Sequence, residues 1–182
     1  MANAPIWSTS PSLTEDQWSK IRRLMDLPDY HYLDYVPHQP VAESFLALEY
    51  YLERNYFPRA LDRYSFVCLI VLFTWADYVD IVPGRTDGDY EYPPVVIESL
   101  EDGIGPEEVD QLMRSTLSSE LYSVSYIFLE QRDLLIVLRE DFSVVFHGLS
   151  AEDAKLIDSL ASVNGLFLKH RSQDGPATLV QA

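Results

Sequence analysis

The sequence predicts an α+β fold in which N-terminal helices pack with a C-terminal antiparallel β-sheet covered by a helix. Capped amphipathic segments crowd the first two thirds of the chain, and extended apolar runs separated by short polar turns follow residue 123. At 182 residues, 47% hydrophobic and 13% aromatic, the chain suits one domain with a well-filled core and excludes wholesale disorder.

The first helix is announced by Ser12 to Gln17, which holds capping residues, acids for a first turn, and Gln17 three positions after Thr14. Trp18, Ile21, Leu24 and Met25 then recur at helical spacing as far as Asp26. A second helix is expected from Val41 to Asn55, with Phe45, Leu48, Leu52 and Tyr51 inward and Pro58 marking its end. The run Tyr64 to Val82 is apolar on nearly every side and reads as a helix to about Asp77. Pro83, Gly84 and the segment Thr86 to Pro94 read as a long surface loop. Pro106, Glu107 and Glu108 suit the first turn of a third helix that runs to Leu117.

After residue 123 the pattern becomes that of hairpins: Ser123 to Glu130, Leu134 to Glu140 and Ser143 to His147. Tyr126, Phe128, Leu134, Ile136, Leu138, Val144 and Phe146 are expected on the buried side. The unbroken Leu134 to Leu138 run predicts burial on both faces, under the Phe66 helix or at a homodimer contact. Ser150 to Asp153 resembles a capping box, and Leu156, Ile157, Leu160 and Val163 predict the buried stripe of a helix that Gly165 ends. Leu166 to Lys169 adds a strand. The expected organisation is a single domain, residues 1–170, made of a mainly helical part with acidic loops (12–118) and a sheet with its helix (123–170), then a flexible tail (171–182).

No apolar start resembling a signal peptide is present, and the run Phe66 to Ala76 is about half the roughly 20 residues needed to span a bilayer. A cytoplasmic chain without membrane contact is expected. The lone Cys68 excludes an intrachain disulfide framework and sits where thiols are buried and inert.

Acids outnumber bases 29 to 13, a net charge of −16, and −14 of it falls in residues 26–110. Direct nucleic-acid binding is excluded, since a polyanion seeks the opposite charge. The same segment holds ten of the twelve tyrosines. Acid and ring coincide most densely at Asp29, Tyr30, Tyr32, Asp34 and Tyr35, and again at Asp77, Asp80, Asp87, Asp89, Tyr90, Glu91 and Tyr92. Tyrosine combines an apolar face with a polar tip, and clustered carboxylates speed encounter with a cationic surface, so these twelve residues are the candidate partner-binding site. The competing account is that the acids solvate loops while the tyrosines half-bury around the core.

No catalytic signature appears. The four histidines lack ligand spacing, no glycine-rich phosphate loop occurs, and Asp87 to Glu98 approaches a calcium loop only to place Tyr92 where the turn needs glycine. No cofactor, metal site or catalytic residue is expected. Small, acidic and single-domain, with this α+β pattern and no catalytic motif, the chain resembles bacterial immunity proteins that neutralise antibacterial toxins. That resemblance implies a one-to-one complex with a basic cognate toxin. Two alternatives stay open: a DNA mimic that inhibits a nuclease or DNA-binding protein, and a metal-dependent enzyme built on carboxylate pairs.

Overall fold

In a computed structural model of the chain, residues 14–36, 48, 51–52, 55–75, 80–84, 106–118, 124–139, 143–172 and 178–180 are described, 80–84 as backbone. Thr14 caps the first helix, α1 (Glu15–Met25): its side chain accepts the Gln17 N–H at 3.2 Å, and its own N–H donates to Gln17 Oε1 at 2.9 Å. Two orphan donors of the first turn are thereby satisfied reciprocally. Strand β1 (Asp29–Asp34) follows after a three-residue turn. Helix α2 (Phe57–Trp75), strand β2 (Asp80–Gly84) and helix α3 (Pro106–Leu117) come next. Strand β3 (Val124–Leu129) joins β4 (Leu134–Arg139) through a 3-10 turn, Glu130–Arg132. Strand β5 (Ser143–His147), helix α4 (Ala151–Val163) with Ser150 as its cap, β6 (Phe167–Ser172) and the short β7 (Thr178–Leu179) complete the described chain.

All strands join one antiparallel sheet in the order β2-β3-β4-β5-β1-β6-β7. The chain's first strand thus lies between two of its last, with Tyr32 opposite Val145 on one side and Lys169 on the other. Helices α2, α3 and α4 cover one face. Tyr64, Val67, Cys68, Val71 and Leu72 of α2, Met113 and Leu117 of α3, and Ile157 and Ala161 of α4 pack there on Leu33, Ile136, Leu138, Val144, Phe146 and Leu168. The opposite face carries α1, whose Ile21 and Leu24 seat on Val124, Phe128, Leu135, Val137 and Val145. Burial of this kind contributes about 2 kcal/mol per large side chain and is the main source of cohesion.

The Leu134 to Leu138 run is buried on both faces, as its unbroken apolarity predicts, with even residues toward the three helices and Leu135 and Val137 toward α1. Cys68 is enclosed, and burial pushes its thiol up to about 12, so it stays protonated. Among the described residues no helix is long and apolar enough to cross a membrane.

Several expectations are corrected. The sheet reaches outside residues 123–170, because β1 and β2 fall in the part read as mainly helical and β7 in the expected tail. Pro83 and Gly84 belong to β2 rather than to a loop, and β2 is an edge strand, where a proline's missing N–H is tolerated. Pro58 sits in the first turn of α2, where proline fits, instead of closing the preceding helix, of which Leu48, Tyr51, Leu52 and Asn55 are described and helical. The buried stripe of α4 is Ala154, Ile157, Asp158 and Ala161, leaving Leu156 and Val163 exposed. On β3 the residues facing the three helices are Ile127 and Leu129, while Tyr126 and Phe128 turn toward α1.

Candidate functional site

Helix α1 is too short to cover its whole side of the sheet. Beyond its last turn the exposed Met25 and Leu27, with Pro28, form one wall of a groove whose floor is the face of β4, β5, β1 and β6. Its volume is about 670 Å³. Strand alternation places the floor residues: Tyr30 and Tyr32 of β1, Val145 and His147 of β5, with Arg139 and Ser143 at one end and Arg171 at the other, while Ser172, opposite Asp29 and on the other strand face from Arg171, only borders the groove at the strand's end.

The rings pack on each other. Tyr30 lies 5.6 Å from His147 and 6.3 Å from Tyr32, centroid to centroid, in tilted arrangements. Tyr32 Oη and His147 Nδ1 are buried without a hydrogen-bond partner among the described residues. Burial, then the charge of Arg139, lowers the His147 pKa, which favours the neutral imidazole at neutral pH. Burial and the nearby Asp34 carboxylate raise the Tyr32 phenol, which stays a donor despite the opposing pull of Arg171.

Charge on this face runs against the chain's balance. Lys169, 3% exposed, donates to Asp34 Oδ2 at 2.7 Å and lies 5.8 Å from the Tyr32 ring. With Asp34 neutralised in this way, Arg139 and Arg171 have no carboxylate partner among the described residues. Most other described bases do: Lys20 with Asp16 and Glu130, Arg22 with Glu15, Arg23 with Asp133, Arg114 with Asp62 and Asp110, and Arg132 with Asp153. The described side chains of β1 and β3 to β6 on this face thus carry three bases against one acid. Hydrogen-bond donors dominate, and what they can hold is an acceptor-rich group.

The twelve residues singled out from the sequence do not form one patch in the described chain. The first of the two acidic, tyrosine-rich stretches is a strand inside the sheet, and period-two geometry divides it. Tyr30 and Tyr32 line the groove, and Asp34 lies on the same strand face outside it. Asp29 lies at the start of the strand, 3.9 Å from His170, and Tyr35 turns to the helical side, where its ring meets Phe57 at 6.5 Å. Asp80 is in the backbone of β2, opposite Phe128. Asp77, Asp87, Asp89, Tyr90, Glu91 and Tyr92 lie outside the described residues, as does the calcium-like loop.

Sequence reasoning passed over Arg139, His147 and Arg171. Their signal is present as charged or polar residues ending apolar strands, but it becomes a site only once β1 is inserted between β5 and β6. Among the described residues no three of His, Cys, Asp and Glu converge as a metal ion would require. In comparisons with known proteins, no family model, no curated protein and no solved structure matches the chain.

Proposed function

We propose that the chain is a non-catalytic binding protein that captures a basic protein in the cytoplasm, in the manner of an immunity protein neutralising a toxin. The supporting observation is where the charge is left over. The described side chains comprise 13 acids and 11 bases, a net of −2 that is largely consumed in internal ion pairs, so −14 of the chain's −16 lies in the remaining sequence. That remainder includes Asp77, Asp87, Asp89 and Glu91 with Tyr90 and Tyr92. A carboxylate surplus of this size steers a cationic partner, accelerating association by about 10- to 1,000-fold, while aromatic anchors slow its departure.

The half of the candidate surface at Asp29 to Tyr35 drops out of this reading, since its acids and rings are engaged in the sheet. The test is a pull-down from the native host at low and at high salt, repeated with D87S/D89S/E91S and with Y90A/Y92A. A single partner of high isoelectric point, released by salt and lost at least tenfold in association rate with the triple variant, is expected. Acidic partners only, or unchanged binding by both variants, overturns the proposal.

A further inference from the structure

The groove beside α1 is lined by none of those acidic residues and calls for its own occupant. It has the size of a small-molecule site, in the range of about 300–1,000 Å³ in which drug-sized ligands bury most of their surface. Each end carries a guanidinium: Arg139 stands opposite Ser143 in the β4–β5 register, and Arg171 stands opposite Tyr30 near the end of β6. Val137 aligns with Val145 and thus with Tyr32, which puts Arg139 four residues along from the level of Arg171, itself opposite Tyr30. Three strand spacings across and four residues along separate the two Cα atoms by about 20 Å, and arginine side chains can close much of that distance. Between the ends lie the mutually tilted rings of Tyr30, Tyr32 and His147.

Among the described residues Arg139 and Arg171 have no carboxylate partner, which they share with Arg59, Arg63 and Lys155, but these two alone line one cavity, in a chain with more than two carboxylates for every base. In a neutral or basic protein it would mean little. Here the described sheet face nets two positive charges, both are aimed at one cavity, and the orphan Tyr32 hydroxyl and His147 Nδ1 belong to the same floor. Guanidinium beside hydroxyl is a recognition pair for carboxylate or phosphate oxygens, and a tyrosine floor favours a flat unsaturated body.

We infer that this groove binds an elongated small molecule with an anionic group at each end, one carboxylate or phosphate held at Arg139 and Ser143, the other at Arg171, and a flat apolar middle on Tyr30 and Tyr32. Neither the acidic segments nor a protein partner is needed for this, so R139Q/R171Q leaves capture of the basic partner unchanged.

The experiment is calorimetric titration of the full chain with biphenyl-4,4′-dicarboxylate and biphenyl-4,4′-bisphosphate, against biphenyl-4-carboxylate and the neutral biphenyl-4-methanol. One-to-one binding of one or both doubly end-charged compounds is expected, the tighter of the two identifying the anionic group. The monoanion should bind at least about tenfold more weakly, and R139Q and R171Q should each cost about tenfold or more, the worth of one charged hydrogen-bonded contact. R59Q/K155Q removes the same charge elsewhere and should change nothing. Unfolding midpoints of all variants verify the fold. No heat with either the dicarboxylate or the bisphosphate, equal binding of the neutral compound or of the monoanion, or an equal loss in R59Q/K155Q overturns the inference.

Discussion

His31 shows how a strand position controls a residue's chemistry. Its ring sits on the helical side of β1, 4.9 Å from the ring of His170, with Asp29 nearby. Burial first, and the positive charge His170 can carry second, lower its pKa from the ordinary 6.5 to about 4, with Asp29 opposing. The folded chain therefore resists a proton that the unfolded chain accepts. Stability from this site is complete above pH 6.5 and declines as pH falls toward 4, below which both states are protonated. Discounted for the ring's partial exposure, the effect is about 1 kcal/mol. Urea unfolding of the parent and of H31Q between pH 7 and 4 should show the variant losing that much less over the window; parallel curves would place the titration elsewhere. The Asp34–Lys169 pair makes a related point. A lysine with a 3% exposed side chain persists because a carboxylate meets it at 2.7 Å, and removing either partner leaves a buried charge unanswered.

At the scale of elements, α1, the β3–β4 turn and the β5–α4 loop meet at one contact. Asp133 closes the turn in the left-handed region, at φ 51°, and its carboxylate pairs with Arg23 of α1. Gly148, at φ 83°, packs so closely that a Cβ would overlap the Asp133 carbonyl oxygen and the Leu24 side chain. This junction holds α1 down on the sheet and so shapes one wall of the groove. Gly148→Ala should cost about 2–3 kcal/mol, from left-handed backbone and steric conflict together. Gly165→Ala, at φ 69° with only the flexible Arg63 guanidinium in reach, should cost about 1 kcal/mol. Denaturant midpoints for both decide it, and equal losses would mean that the Gly148 contact relaxes freely.

For the whole molecule, the decisive feature is that residues 29–34 complete a sheet whose other described strands begin at residue 80. Without β1, strands β5 and β6 have no common neighbour and each presents an open edge. A chain lacking residues 1–36 should lose its cooperative unfolding transition and self-associate, as read by urea titration and light scattering. A cooperative transition of unchanged slope would show that β5 and β6 pair directly. The same insertion accounts for the charge division. A nearly neutral framework carries most of the described structure, and the carboxylate surplus falls elsewhere in the sequence.

Where one residue's neighbours in the chain determine its state, the sequence was legible. Thr14 with Gln17 and Ser150 with Asp153 announce helix starts, Gly165 announces an end, and the Leu134 to Leu138 run announces burial on both sides, because capping and local burial patterns depend on contacts a few residues away. The α+β class followed from these. What the sequence could not reveal is which face each residue of Asp29 to Tyr35 occupies, or that Arg139 and Arg171 share a cavity. Both depend on a pairing between segments more than a hundred residues apart, and a strand among tyrosines and aspartates carries no local mark of the partners it will find. Composition alone determined that this chain is acidic and how the surplus is distributed along it. Tertiary structure alone decided that one face of its sheet is the exception, because pairing register, not composition, selects which side chains meet.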